Sequence, residues 1–140
     1  MATVEMKGLS ALCVSLDKLA AMPDDVMGQM LTEGAEVLVQ AQQESAEAHG
    51  LRDTGMMIES IKAGRPKRSP DGGIISITPE GTRRRGKTET RNAEIAYVNE
   101  YGKGGQPGTE FIREANDKKE ADAVEASGKI YNNWLDRIGL

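Results

Sequence analysis

The residues able to do chemistry are few. A single histidine, His49, stands beside Gly50, and a single cysteine, Cys13, falls in an apolar stretch. A general base or a metal ligand needs a second group held at fixed reach, and neither residue has a suitably spaced Cys, His or carboxylate companion. His49 therefore reads as a surface residue near the negative end of a helix, and Cys13 as a small buried hydrophobe. The 22 acids are scattered along the chain with Lys or Arg close by, as on solvated faces; only Glu100, between Asn99 and Tyr101, sits in a small apolar setting. The Gly102-to-Gly108 stretch lacks the Gly-x-x-x-x-Gly-Lys-Ser/Thr spacing of a phosphate-cradling loop and reads as a hinge. The expectation is no enzyme, no catalytic residue, no metal ligand and no cofactor; an enzyme built on the carboxylates is the distant alternative.

The strongest local feature is electrostatic. Residues 62–91 hold nine basic residues against three acids, a net of +6, and the remaining nine basic and nineteen acidic residues leave the rest of the chain at −10. Such segregation speaks about partners rather than fold. Its centre is Arg83, Arg84, Arg85 and Lys87, with Arg91 close behind, in a stretch from Thr82 to Arg91 that contains no apolar residue. Three readings stay open. As a nucleic-acid patch the run would neutralise phosphates with steep salt dependence, but it carries no aromatics to stack on bases. As a solvated hairpin tip it needs no partner. As an inter-subunit arm it would find the acidic remainder of a neighbouring copy.

These residues must be positioned by a small fold. The 140 residues suit one domain, and five aromatics with sixteen glycines make a light core that gains from a partner. No apolar run approaches a membrane span, and Met1 to Gly8 lacks the basic flank and apolar stretch of a signal peptide, so synthesis in a reducing, intracellular setting is expected. Leu9, Leu12, Cys13, Leu16, Leu19 and Ala20 recur at helical spacing and predict a first short helix. Pro23 ends it, and Asp24 and Asp25 are cap candidates for a longer second helix with the stripe Met27, Met30, Leu31, Gly34, Val37, Leu38 and Ala41, stopped by Gly50. Gly28 and Gly34 point to close approach by another backbone.

Asp53 or Thr54 can cap a short helical turn carrying Ile58 and Ile61. Ser60 to Gly64 and Ile74 to Ile77, flanked by Asp71-Gly72-Gly73 and Pro79-Glu80-Gly81, predict two strands of an antiparallel hairpin. Thr82 to Arg91 reads as an extended solvated loop or a partner-ordered arm. Ala93 to Val98 reads as a strand running into a helical turn. A flexible loop from Lys103 to Gly108 then precedes Thr109, a cap for a last helix with Phe111, Ile112, Ala115, Ala123, Ala126, Ile130, Trp134 and Ile138 near one face. The sum is an α+β fold: a small antiparallel sheet of three to four strands packed against two N-terminal helices and a long C-terminal helix, with a basic arm at about residues 80–92.

Ordered segments resemble a known family. Thr3-Val4-Glu5-Met6-Lys7-Gly8-Leu9, then Gly34-Ala35-Glu36-Val37-Leu38, Thr54-Gly55 with Ser60-Ile61, Ala96-Tyr97-Val98-Asn99-Glu100-Tyr101-Gly102 and Phe111-Ile112-Arg113-Glu114-Ala115 are together similar to the tail-completion, or neck, proteins of long-tailed double-stranded DNA phages, a group that includes lambda minor tail protein Z-like proteins. Lys103 stands where relatives carry Thr and Glu110 where they carry Pro, and the basic Thr82-to-Arg91 insert is outside the common pattern.

The resemblance implies a single head-tail connector domain over residues 1–140 and a structural role in the virion. Copies would form a homo-oligomeric ring at the head-tail junction, between the head connector or adaptor and the tail terminator or tail tube, with genome DNA passing through. The protein would be made in the bacterial host cytoplasm, without membrane contact. Arg83, Arg84, Arg85, Lys87 and Arg91 would face a neighbour or DNA. Thr54, Gly55, Ser60, Tyr97, Glu100, Tyr101, Gly102, Phe111 and Ile112 would form a structural corner. The rival reading is a small nucleic-acid-binding protein that uses the same arm.

Overall fold

The computed structural model describes residues 2–7, 11–16, 22–51, 56–70, 72–85 and 88–137, without the side chains of 2–7, 11–16, 83–85 and 88. The fold is α+β. Strands β1 (Ala2–Lys7) and β2 (Ala11–Leu16) pair antiparallel, and β2 continues onto β5 (Gly72–Pro79). Along the other edge of β5 lie β3 (Ile61–Ala63) and β4 (Lys67–Ser69), end to end and antiparallel to it. The expected hairpin is thus present, with its first strand interrupted at Gly64-Arg65-Pro66, and the sheet has five strands rather than three or four.

The first predicted helix is replaced by β2. Leu12, Val14 and Leu16 recur at a period of two in the same segment where Leu12, Cys13 and Leu16 fit a helical stripe, and the sequence of β1 alternates likewise, with Ala2, Val4 and Met6 between Thr3, Glu5 and Lys7. The register sets Val4 opposite Val14, Met6 opposite Leu12 and Ala2 opposite Leu16. Backbone pairing with β1 on one edge and β5 on the other decides for a strand where the local pattern admits both periods. One N-terminal helix therefore remains instead of two.

That helix, α1 (Asp24–Ala48), starts at Pro23, whose extended conformation makes it the N-cap without a side-chain cap bond. Asp24 does not cap. It accepts a hydrogen bond from Arg68 Nε at 2.7 Å, while Arg68 Nη2 donates to the Met22 carbonyl at 2.8 Å, so β4 is tied to the helix start. Gly50, at φ +71°, terminates α1 as predicted. The neighbour at Gly28 is the Pro66 ring, 3.7 Å from where a Cβ would stand, rather than a backbone.

One side of α1 covers the sheet. Ile75 and Ile77 of β5 are buried beneath it, while Ser76 and Thr78 stay in solvent on the opposite face. A Cβ on Gly73 would come within 2.9 Å of Met27 Sδ and 3.0 Å of Leu31 Cδ1. The other side of α1 receives α4 (Phe111–Arg137), a helix about 40 Å long at 1.5 Å per residue. Phe111, Ile112, Ala115, Ala123 and Trp134 are buried as expected, and Ala126 and Ile130 are half-buried; Ile138 lies outside the described residues. Short α2 (Met56–Glu59) closes the core from below with Met57 and Ile58. Asp53 and Thr54, the expected caps, lie outside the described residues.

Polar pairs fix the antiparallel register of α1 and α4. Ser45 Oγ donates to the Phe111 carbonyl at 2.8 Å, Gln42 Nε2 to Asn116 Oδ1 at 3.0 Å, and Ser127 Oγ to the Met30 carbonyl at 2.8 Å. Gln42 is fully buried, and its Oε1 has no hydrogen-bond partner among the described residues. Removing one member of such a pair strands the other, whereas removing both does not. We expect Gln42→Leu to cost about 1–3 kcal/mol in urea unfolding, and the double variant Gln42→Leu/Asn116→Leu to recover most of it.

Candidate functional site: an inside-out helix and its locked corner

Helix α3 (Asn92–Tyr101) replaces the strand expected over Ala93 to Val98. The segment is apolar on most sides, so periodicity alone does not separate a short helix from a strand. What decides is where its polar residues go. Asn92, Ala96 and Glu100, one turn apart, face inward and are buried. Tyr97, Val98 and Tyr101 face outward, 53%, 38% and 56% exposed, and Glu94 shares their side. The two tyrosine rings lie 4.8 Å apart at 51°. A helix with a polar inner face and an aromatic outer face leaves an apolar patch in solvent, the kind of surface that marks interaction sites.

Both ends of α3 are pinned. At its start, the Asn92 side-chain amide donates to the Glu80 carbonyl at 2.8 Å and the Asn92 N–H to the Gly81 carbonyl at 2.9 Å. At its end, the Glu100 carboxylate, on a residue 4% exposed, accepts the N–H groups of Ile112 at 2.7 Å and Arg113 at 3.1 Å. These are free donors in the first turn of α4, where the helix dipole also favours an anion. Glu100 therefore caps a helix that begins eleven residues later.

Thr109, expected to be that cap, instead directs its N–H and its hydroxyl to the Asn99 carbonyl at 2.7 and 2.9 Å. The intervening chain forms a two-stranded turn, β8 (Gly102–Lys103) against β9 (Gln106–Pro107). It is no hinge. A Cβ on Gly102 would overlap the Gln106 carbonyl oxygen, and one on Gly108 would overlap that of Glu100. Gly102 also has φ +88°, a conformation that favours glycine.

The basic stretch is ordered as well. Rather than an extended loop, it forms a hairpin of β6 (Thr82–Arg85) and β7 (Thr88–Arg91), with Thr82 opposite Arg91 and Arg84 opposite Glu89. Thr82 Oγ1 donates to Glu89 Oε1 at 2.9 Å. The hairpin leads straight into α3, so the cations and the tyrosines belong to one continuous piece of chain. Arg91 is exposed; Lys87 and the side chains of Arg83, Arg84 and Arg85 lie outside the described residues. Of the remaining basic residues in 62–91, Arg68 is taken up by Asp24 and Met22, while Lys62, Arg65 and Lys67 are exposed and have no ion pair among the described residues.

The structure brings some of the residues expected at the corner together here. Glu100, Gly102, Phe111 and Ile112 build it, with Phe111 fully buried. Tyr97 and Tyr101 do not; they point out of it, because the polar positions of α3 have taken the inner face. Ser60 is structural elsewhere: its hydroxyl donates to the Met57 carbonyl at 2.6 Å, closing the end of α2. Thr54 and Gly55 lie outside the described residues. His49 is the C-cap residue of α1, and its Nε2 lies 2.6 Å from Glu114 Oε2. No group of three or more His, Cys, Asp or Glu residues able to hold a metal occurs among the described residues. The outward stripe was missed, although Glu94, Tyr97, Val98 and Tyr101 are spaced i, i+3, i+4, i+7.

Two charge-assisted bonds to a helix start are worth about 2–3 kcal/mol. Glu100→Ala should lose about that much in chemical denaturation, with Glu100→Gln intermediate because one amide oxygen can still accept. A change under 0.5 kcal/mol for both would show that the cap is dispensable. No family model matches the chain, and comparison with curated proteins and with solved structures finds no similar one.

Proposed function

We propose that the chain is a structural subunit of a tailed-phage virion, a neck or tail-completion protein that forms a homo-oligomeric ring at the head-tail junction, through which genome DNA passes. The observation that carries this reading is the inside-out α3: a rigid helix presents Tyr97, Val98 and Tyr101 to solvent beside a basic hairpin, while buried polar residues hold it from behind. Aromatic side chains on a pre-ordered element are the usual anchors of protein interfaces. The segments that resemble the family support the same reading. Ala96 to Gly102 and Phe111 to Ala115 meet physically through the Glu100 carboxylate, and Gly34 to Leu38 lies in α1 beneath α4.

On this reading the partners are further copies, the adjoining head-connector or adaptor proteins, and the tail terminator or tail tube. The subunit is made in the host cytoplasm and ends in the virion. No helix among the described residues is long and apolar enough to cross a membrane. The role is one of assembly, not catalysis: Glu100, whose setting drew notice in the sequence, serves as a helix cap.

One observation favours the rival, a nucleic-acid-binding protein. Lys62, Arg65 and Lys67 extend the basic hairpin's charge along the sheet edge whose outer face carries exposed Ser76 and Thr78. The two readings separate on one variant. Arg83→Ala/Arg84→Ala/Arg85→Ala should leave the circular dichroism spectrum and melting temperature unchanged but yield filled heads and free tails by electron microscopy of the lysate. Unchanged infectivity would sink the arm's assembly role. Tight duplex-DNA binding by the wild-type chain, losing about 10³-fold or more between 50 and 200 mM salt, would favour the rival.

A further inference from the structure

We propose that the α3 stripe and basic hairpin of one copy dock on the α1–α4 seam of a second copy. This pairing deepens the assembly reading above and rests on it. The receiving surface is a pair of adjoining hollows in the seam, about 210 and 280 Å³, which share Ala41, Glu44 and Lys119. Ala41, Ala48 and Ala115 give a shallow floor of small side chains, and Glu44, Lys118 and Asp122 stand at the rim. Convex aromatic rings and a small-residue trough are complementary shapes, and tyrosine brings a hydroxyl tip that suits a polar rim.

Charge selects the same occupant. Helix α1 carries six acids, Asp24, Asp25, Glu33, Glu36, Glu44 and Glu47, and no Lys or Arg in 25 residues; Asp24 is already paired with Arg68, and on the α4 wall of the trough stand Lys118 and Lys119. Glu33, Glu36 and Glu44 are exposed. The hairpin that precedes the tyrosines carries five basic residues against one acid in Thr82 to Arg91. A copy that seats Tyr97 and Tyr101 in the trough brings its hairpin toward the acidic helix of its neighbour. Because stripe and trough are different patches, the contact is heterologous and propagates from copy to copy instead of ending at a two-fold pair.

The trough can be blocked without touching the core, since Glu44 and Ala48 are exposed, as are Tyr97 and Tyr101. The test uses the purified full chain in sedimentation velocity at 10–200 μM and 50 mM salt, values chosen as roughly those that keep surface attraction strong. Wild type should form species larger than a dimer that dissolve at 500 mM salt, about the ionic strength that shortens screening to a few ångströms. Tyr97→Glu/Tyr101→Glu and Glu44→Lys/Ala48→Trp should each remain monomeric. Mixed one to one, they should form a heterodimer and nothing larger, because one intact stripe meets one intact trough; this also shows that both are folded.

A monomeric wild type, variants that associate like wild type, or a mixture that stays monomeric would each overturn the pairing. So would a tyrosine variant that loses duplex-DNA binding while self-association is unchanged. The same variants in phage separate the two levels. Normal particles built from subunits that cannot self-associate would refute the ring role while leaving the docking intact. Failed joining by subunits whose association is unaffected would do the reverse.

Discussion

The Glu100 carboxylate on the first turn of α4 is the interaction on which the rest of the molecule's working surface depends. It is a buried charge made tolerable by two backbone donors and a helix dipole. Because the acceptor sits in the last turn of α3 and the donors open α4, one residue sets the angle between two helices. The glycine-closed turn between them follows, since a side chain at Gly102 or Gly108 has no room once that distance is fixed. Glu110, at φ +53°, is the one described non-glycine residue held in a left-handed conformation, at the point where the chain turns into α4. Strain at that step is offset by the cap beside it.

From there order passes inward. Helix α4 lies along α1 in a register written by Ser45, Gln42 and Ser127, and α1 lies on β5 so closely that Gly73 leaves no space for a methyl group. Leucine, isoleucine and methionine supply the bulk of this core, with Phe111 and Trp134 as its aromatic members. Tyr131 packs half-buried beside Trp134, whereas Tyr97 and Tyr101 are placed on the surface in a chain with only five aromatic residues. A light core and an aromatic exterior are one fact seen from two sides.

Much of the fold could be read from the chain. Pro23 and Gly50 bounded α1, the isoleucines from Ile74 to Ile77 marked the central strand, which runs on through Gly72-Gly73 at one end and to Pro79 at the other, and the spaced apolar positions after Phe111 marked α4. Failures came where a short segment satisfied two periods at once. Leu12, Cys13 and Leu16 fit a helix until their segment paired with β1, and Ala93 to Val98 fit a strand until Asn92 and Glu100 were drawn inward. No local rule could assign the cap, because the helix start borrows its acceptor from eleven residues upstream while Thr109, in the expected place, bonds backward. At the candidate site the cations were legible from sequence as charge, and a hairpin was one of three readings of their stretch. The tyrosines were singled out as part of a structural corner, whereas α3 turns them to solvent.

The seam between α1 and α4 also has a meaning in time. Its partners are far apart along the chain, 74 residues from Gln42 to Asn116 and 97 from Met30 to Ser127. During synthesis, at about 5–20 residues per second, α1 leaves the ribosome several seconds before α4 exists to cover it. Glu100 likewise has nothing to hold until Ile112 and Arg113 have emerged. Until then nothing pins the end of α3 that presents its aromatic side. A chain interrupted before its last helix therefore lacks both the cover of α1 and the two donors that hold the Glu100 carboxylate.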